Sequence, residues 1–91
     1  MFFEWDRNKE AQNRKKHGIS FREAATVFDD SLSTTYPDLA HSEAQQRYIT
    51  IGMTELGKIV VVAHTEERNI VRIISARPAT RRERRFYEEG Q

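Results

Sequence analysis

Three apolar segments in the second half of the chain, joined by short polar connections, restrict the fold more than any other feature. They read RYITIGMT (residues 47–54), KIVVVAHTE (58–66) and NIVRIISAR (69–77). Valine, isoleucine and threonine favour strands, and short connections of turn-forming residues join antiparallel neighbours. The middle segment is apolar on both faces around Val61, which predicts a central strand that is covered on both sides.

Helices are predicted before and after these strands. Phe2–Trp5 is a candidate edge strand, and the next residues predict a helix that ends at Gly18. Asp6, Ser20 and Thr80 are suited to N-caps, and the last two are each followed three residues later by a glutamate, as in a capping box. Residues 30–46 lack periodicity and predict a long loop. The predicted order is β-α-α-β-β-β-α, an α+β fold with a small antiparallel sheet, two N-terminal helices and one C-terminal helix.

Length and composition narrow the class of protein. The 91 residues suit one domain, which would span residues 1–91. The absence of cysteine excludes disulfides and thiolate zinc sites, and no spacing of histidines predicts a metal site, so no cofactor is expected. The longest aliphatic run, Ile59–Ala63, is too short to span a bilayer, and the first residues lack the apolar region of a signal peptide. These features predict a cytoplasmic protein without a membrane role.

The charges are unevenly distributed although the net charge is only +1. Between Arg68 and Arg85 there are seven arginines and one acid, a local excess of +6. Arginine favours bidentate recognition of phosphate or carboxylate groups, so this basic patch predicts an anionic partner. The alternative is a solvated helix face that only keeps the protein soluble.

Two arginines interrupt or end the third apolar segment. Arg72 lies among aliphatic residues, where a guanidinium is costly to desolvate unless it meets an anion, either a ligand or a carboxylate such as Glu66. Arg77 lies at the strand end, just before a predicted helix N-terminus. If the ligand is a phosphate, Arg77 and the free N–H groups of that helix could hold it together. Strict alternation along a strand would place the two arginines on opposite faces of the sheet.

Other polar residues are candidates for acid–base chemistry or for anion binding. Lys9, Asn13, Lys16 and His17 form one stripe on a first helix that has almost nothing to bury, so the stripe is expected to face a ligand or solvent. His64 and Glu66 share a face of the central strand and are a candidate acid–base pair, unless the histidine is simply half-buried and structural. If the anionic partner is RNA, cleavage without a metal would proceed by attack of the 2′-hydroxyl on the adjacent phosphate. This reaction needs a base, an acid and cations, and the residues named above include candidates for all three roles.

The chain also resembles a known family over nearly its whole length. FEWDRNKEAQNRKKHGISFREAATVFDD, RYITIGMT, VVVAHTEE and VRIISARPATRRERRFYEE resemble, in this order, the sequence of a BrnT-type toxin. The resemblance implies a RelE-like fold and a ribonuclease toxin of a type II toxin–antitoxin pair that inhibits translation. It also implies a cognate antitoxin with a ribbon-helix-helix part, in a hetero-oligomeric complex that binds promoter DNA through the antitoxin.

The family's motif maps onto residues from both ends of the chain. The matching positions are Trp5, Asp6, Lys9, Asn13, Lys16, His17, Gly18, Arg47, Glu66, Arg72, Ser75, Arg77, Glu83, Arg84 and Tyr87.

From these positions and the charge pattern, a catalytic set and an RNA-binding set are predicted, with acid and base left unassigned. The catalytic set is Arg72, Arg77, Glu66 and His17. The RNA-binding set is Lys9, Lys16, Arg47, Arg68 and Arg81. The alternative hypothesis is a non-catalytic or degenerate module whose basic C-terminal patch binds an acidic protein or DNA.

Overall fold

A computed structural model of the chain describes residues 1–41 and 44–90. Within these ranges a five-stranded sheet is flanked by three α-helices. The elements are β1 (Phe2–Trp5), α1 (Arg7–His17), α2 (Phe21–Ala25), a 3₁₀ turn (Thr26–Asp29), β2 (Thr34–Pro37), β3 (Tyr48–Met53), β4 (Ile59–Glu67), β5 (Ile70–Pro78) and α3 (Arg81–Glu89). The predicted α+β class and the three predicted helices are confirmed. No helix of the described residues is long and apolar enough to span a membrane.

The sheet has one strand more than the sequence predicts. Thr34–Pro37 forms an edge strand that pairs antiparallel with β3, so the prediction of one uninterrupted loop over residues 30–46 is wrong. β-Branched and aromatic residues favour the extended conformation, and a proline is tolerated at a sheet edge. The hydroxyls of Thr35 and Thr50 lie 2.7 Å apart across the pair and fasten the short strand.

The strand order is β1-β5-β4-β3-β2, which makes β4 the central strand, as predicted. β3, β4 and β5 are antiparallel neighbours, and the turn between the last two places Arg68 and Asn69 at φ 51° and 69°. Positive φ at both central residues is typical of the tight hairpin turns that match strand twist. β1 is the predicted edge strand, but it runs parallel to β5, so the sheet is mixed rather than purely antiparallel.

Each face of the sheet has its own apolar cluster. On the face that we call the α2 face, Phe21 and Val27 pack on buried side chains of β4 and β5. On the opposite face, the α3 face, Tyr87 of α3 packs on Ile51 and Val61. Because α3 has only nine residues, it covers only part of that face.

A β-bulge in β5 changes which residues share a face. Pairing moves from Ala63 opposite Ser75 directly to His64 opposite Ile73, so Ile74 is an additional residue in β5. An inserted residue reverses the alternation of side chains beyond it. The two arginines of β5 therefore both lie on the α3 face, and the prediction that they lie on opposite faces is wrong.

Helix α1 is held against the sheet by a side-chain amide rather than by an apolar face. The Asn13 amide nitrogen donates to the carbonyls of Ala76 (2.8 Å) and Ile19 (3.0 Å), and its oxygen accepts from the Ala76 N–H (3.0 Å). β1 pairs with residues 70–73 of β5, so Asn13 completes the edge of β5 just beyond the end of β1. The predicted ligand-facing stripe is therefore wrong at its centre, because Asn13 is buried and structural.

Replacing Asn13 with alanine should destabilise the fold by about 2–3 kcal/mol, because buried backbone groups of Ala76 and Ile19 lose their partners. Urea denaturation of wild type and Asn13→Ala measures the difference. Gln12→Ala, at the exposed neighbouring position of α1, is the matched control and should change stability by no more than about 0.5 kcal/mol. Equal effects of the two substitutions would contradict the role of the Asn13 amide.

Candidate functional site

A depression on the α3 face, beyond the end of α3, brings together three cations from three separate parts of the chain. Lys9 of α1, Arg47 before β3 and Arg72 of β5 line it, and its volume is about 430 Å³. The remaining lining residues are His41, Ala44, Gln45, Thr65 and Ile74. We call this the cationic depression. Cations converging on one concavity raise the local concentration of anions.

Local structure places each of these cations. The Asp6 side chain accepts a hydrogen bond from the Lys9 N–H at 3.0 Å, so the helix cap fixes Lys9 in the first turn of α1. Arg47 lies at the base of the β2–β3 connection, where its carbonyl accepts from the Asp38 N–H at 2.8 Å. Arg72 stands opposite Thr65 in the β4–β5 ladder, and Thr65 is buried beneath the depression.

The carboxylate that pairs with Arg72 comes from β1. Glu4 Oε2 lies 2.8 Å from Arg72 Nη1, whereas the sequence suggested Glu66 as the alternative partner. The two side chains are 47% and 49% exposed, and ion pairs of this kind contribute at most about 1 kcal/mol. A phosphate that contacts several cations of the depression can therefore replace Glu4.

The other predicted RNA-binding residues have different surroundings. Arg68 lines a second depression that shares Arg72 with the first. Lys16 and Arg81 are exposed on α1 and α3, and neither lines these two depressions. Three of the five predicted RNA-binding cations, Lys9, Arg47 and Arg68, therefore line a depression together with Arg72. Lys16 lies farther along the same helix as Lys9. Arg81 begins α3.

Arg77 is engaged in a structural ion pair. Its Nη1 and Nη2 donate to the two carboxylate oxygens of Glu83 at 2.7 and 2.8 Å, and Glu83 also accepts from the Thr80 N–H in the predicted capping box. The hydrogen bonds from Arg77 lower the pKa of Glu83 to about 2. Arg77 opposes Val61, four ladder positions or about 13 Å from Arg72, so the two do not converge on one phosphate in this arrangement.

The remaining two predicted catalytic residues also lie away from Arg72. His17 ends α1 and lines a groove with Lys58 and Arg84 at the opposite end of the sheet. Glu66 lies on the α2 face, with its Oε1 3.7 Å from Nδ1 of His64. The structure therefore does not bring the predicted catalytic set of four into one site.

His64 is fully buried and belongs to the core rather than to a site. Its Nε2 lies 2.7 Å from the Thr50 hydroxyl, and its ring packs against Phe28 and Tyr48 at centroid distances of 4.9 and 5.9 Å. Burial disfavours the charged imidazolium and lowers the pKa of His64 to about 4. The structural interpretation of this histidine, kept open by the sequence, fits the geometry.

Sequence reasoning assigned no role to His41, which lines the cationic depression. Its Nδ1 lies 3.1–3.2 Å from the two carboxylate oxygens of Asp38. A carboxylate on Nδ1 orients an imidazole and fixes its tautomer, as in acid–base sites of enzymes. In the sequence, the pair is indicated only by the three-residue spacing of Asp38 and His41. Because both residues lie in a segment predicted to be a loop, that spacing does not predict that their side chains meet.

The described residues contain no group of three or more His, Asp or Glu side chains that could hold a metal ion.

Together, the mixed sheet and the cationic depression define a small α+β protein in which three cationic side chains line one concavity. The family model for the "ribonuclease toxin, BrnT, of type II toxin-antitoxin system" matches residues 5–83, so the chain belongs to the BrnT toxin family. This confirms the resemblance seen in the sequence. Membership in a type II toxin–antitoxin family implies an RNA substrate and an antitoxin partner.

A solved structure supports the fold. The 1.1 Å crystal structure of the Brucella abortus ribonuclease toxin BrnT is similar with a TM-score of 0.68 and 22% sequence identity. The similarity covers 89% of this chain and 100% of that chain. No curated protein matches the chain.

Protonation of His64 should destabilise the fold in mild acid. Its pKa of about 4 in the folded state lies below the ordinary 6.5, so its contribution to stability is complete above pH 6.5 and is lost as the pH falls toward 4. The free energy of unfolding should drop by about 2 kcal/mol between pH 7.5 and 5, measured by urea denaturation. His64→Gln should flatten this dependence, whereas His41→Gln, at an exposed histidine, should retain it. A flat wild-type profile would contradict the prediction that burial keeps His64 neutral in the folded state.

Removing Arg77 should weaken the attachment of α3. Arg77→Ala should cost about 1–2 kcal/mol, because the two hydrogen bonds of the bidentate pair with Glu83 are lost. Arg85→Ala breaks the pair of Arg85 with Glu89, whose side chains are 70% and 69% exposed, and is the matched control with an expected change below about 0.5 kcal/mol. Because the pKa of Glu83 is lowered to about 2 from 4.5, its contribution should be present above pH 4.5 and disappear toward pH 2. Unchanged thermal stability of Arg77→Ala would return Arg77 to the catalytic hypothesis.

Proposed function

We propose that the chain, as one toxin domain over residues 1–91, is a metal-independent endoribonuclease that binds RNA in the cationic depression. The convergence of Lys9, Arg47 and Arg72 on one concavity is the observation that carries this proposal. Membership in the BrnT family supports it. Cleavage of messenger RNA by such an enzyme would stop translation.

The depression supplies the charge that a phosphoryl transfer needs. Attack of the 2′-hydroxyl on the adjacent phosphorus forms a 2′,3′-cyclic phosphate and releases the 5′-oxygen of the next nucleotide. Negative charge accumulates on the non-bridging oxygens, and preorganised cations stabilise it. The scissile phosphate displaces Glu4 from Arg72, while Lys9 and Arg47 hold the oxygens of that phosphate or its neighbour.

We assign the acid–base role in the depression to His41. The Asp38 carboxylate orients the imidazole through Nδ1, which leaves Nε2 to accept the 2′-hydroxyl proton or to protonate the leaving oxygen. His17 and Glu66, the sequence-based candidates, lie outside the depression and become tests of the assignment.

The antitoxin is proposed to inhibit by covering the cationic depression. An acidic segment of a ribbon-helix-helix antitoxin would compete with RNA for Lys9, Arg47 and Arg72. The same complex would bind promoter DNA through the antitoxin.

Purified, antitoxin-free protein should cleave single-stranded RNA equally well with and without EDTA, leaving 2′,3′-cyclic phosphate ends that mass spectrometry detects. Arg72→Ala should slow cleavage roughly 10²–10³-fold, the usual cost of removing one group that stabilises transition-state charge. Arg22→Ala, at an exposed arginine of α2, is the matched control and should retain the wild-type rate. Loss of cleavage in EDTA would contradict metal independence.

His41→Gln and His17→Gln, compared in the same assay, separate the two acid–base assignments. Slow cleavage by His41→Gln alone supports the Asp38–His41 pair, and slow cleavage by His17→Gln alone restores the sequence-based candidate. If the wild type cleaves no RNA, with or without ribosomes, the non-catalytic binding hypothesis replaces the proposal.

A further inference from the structure

A pair of exposed apolar side chains lies beside the cationic depression, on the part of the sheet that α3 leaves open. Phe2 of β1 is 69% exposed and Ile70 of β5 is 38% exposed. The two residues are direct partners in the parallel β1–β5 ladder. An exposed phenylalanine side chain contributes little apolar burial to the fold, and its ring is accessible to a ligand.

The pairing in the sheet fixes which face carries these two side chains. Their strand neighbours Phe3 and Val71 belong to the core on the α2 face. Side chains alternate along a strand, so Phe2 and Ile70 lie on the α3 face. Glu4 and Arg72 are the next residues on that face, two positions along each strand.

Phe2 is presented by a hydrogen-bonded strand. Its N–H donates to the Asn69 carbonyl at 2.9 Å, and its strand continues into the Asp6 cap of α1. The backbone beneath the ring is therefore preorganised, which lowers the entropic cost of binding a ligand there.

The charges around the pair favour a nucleic acid over an apolar protein segment. Ile70 shares the second depression with Arg68 and Arg72, and Arg72 also lines the cationic depression. Glu4 and Glu67 line the second depression as well. Among the described residues that line the two depressions, Lys, Arg and Glu are present, so the surroundings are polar and mixed in sign. A flat ring with neighbouring arginines matches a base with its phosphate.

The spacing also matches one nucleotide. Two residues along a strand correspond to about 6.6 Å, so the Cα atoms of Phe2 and Glu4, the residue that Arg72 now contacts, lie about that far apart along β1. A phosphate that replaces Glu4 on Arg72 would carry its neighbouring base toward Phe2.

We propose that Phe2 and Ile70 form a base-stacking subsite for single-stranded RNA, next to the phosphate-binding Arg72. This inference rests on the proposed function, because it assigns a nucleotide base to the site whose phosphate the cationic depression holds. Stacking on an aromatic ring accepts any base, so the subsite selects unpaired RNA over duplex RNA rather than one sequence.

The experiment compares binding of two fluorescent ten-nucleotide probes by anisotropy. One is a 2′-O-methyl RNA, which lacks the attacking hydroxyl and stays intact, and the other is the same backbone without bases. Phe2→Ala should weaken binding of the RNA about five- to fifty-fold while changing binding of the abasic probe less than about twofold. Phe2→Trp should retain or improve RNA binding, and Ile70→Thr, which keeps the β-branch, should weaken it less than Phe2→Ala.

Phe86→Ala is the matched control, since Phe86 is also an exposed phenylalanine (50%) but lies on α3. It should leave binding of both probes unchanged, and thermal melts should confirm that all variants are folded. Equal weakening of both probes by Phe2→Ala, or weakening of neither, overturns the subsite. So does a Phe2→Ala protein that binds RNA normally but no longer binds its antitoxin, because the patch is then a protein interface. A wild type that binds neither probe refutes the proposed function itself, which distinguishes that failure from failure of the subsite alone.

Discussion

The placement of α1 depends on the hydrogen bonds between the Asn13 amide and the backbone of Ala76. A helix with one apolar interior residue gains little from burial, and an unpaired strand edge needs a partner. The Asn13 side chain both anchors the helix and pairs with the strand edge, because its amide makes the two hydrogen bonds to Ala76 that a neighbouring strand would make where β1 ends. Its position sets the direction of α1 and thereby brings Lys9 to the depression. The cationic site is in this sense a consequence of how the edge of β5 is closed.

Several of the positions that the sequence resemblance assigned to the family's motif form the scaffold. Trp5 packs edge-on against Phe21, Gly18 ends α1 at a φ of 73°, and Tyr87 donates a 2.6 Å hydrogen bond to Asp30. Burial, together with that hydrogen bond, raises the pKa of Tyr87 to about 12. The matching positions therefore include residues with structural roles, and sequence alone does not separate these from candidate site residues. Lys9, Arg47 and Arg72 are also among the matching positions, and the proposed binding of an anionic ligand would explain why cations occupy them.

The sequence predicts the helix caps and the order of the long strands, but it does not predict the bulge in β5 or the contacts between distant parts of the chain. Caps at Asp6 and Thr80 and the order of the three long strands follow from residue types and spacing. The bulge at Ile74 does not, since no residue type there forces an insertion, and one extra residue reverses every facing prediction beyond it. His41 was missed for a similar reason. Its neighbours in the depression come from α1, β4 and β5, and only the closed β2–β3 connection brings them together.

The Glu4–Arg72 ion pair gives the site a threshold. An incoming anion must first displace the Glu4 carboxylate, which lies 2.8 Å from Arg72, and this step costs at most about 1 kcal/mol. A small anion that offers one contact merely exchanges one partner for another and gains little. An RNA strand bound as proposed would also contact Lys9 and Arg47, and would thereby make contacts beyond the exchange at Arg72. If the cationic depression binds RNA as proposed, the Glu4 carboxylate would thereby favour a polyanion over a small anion that carries a single phosphate.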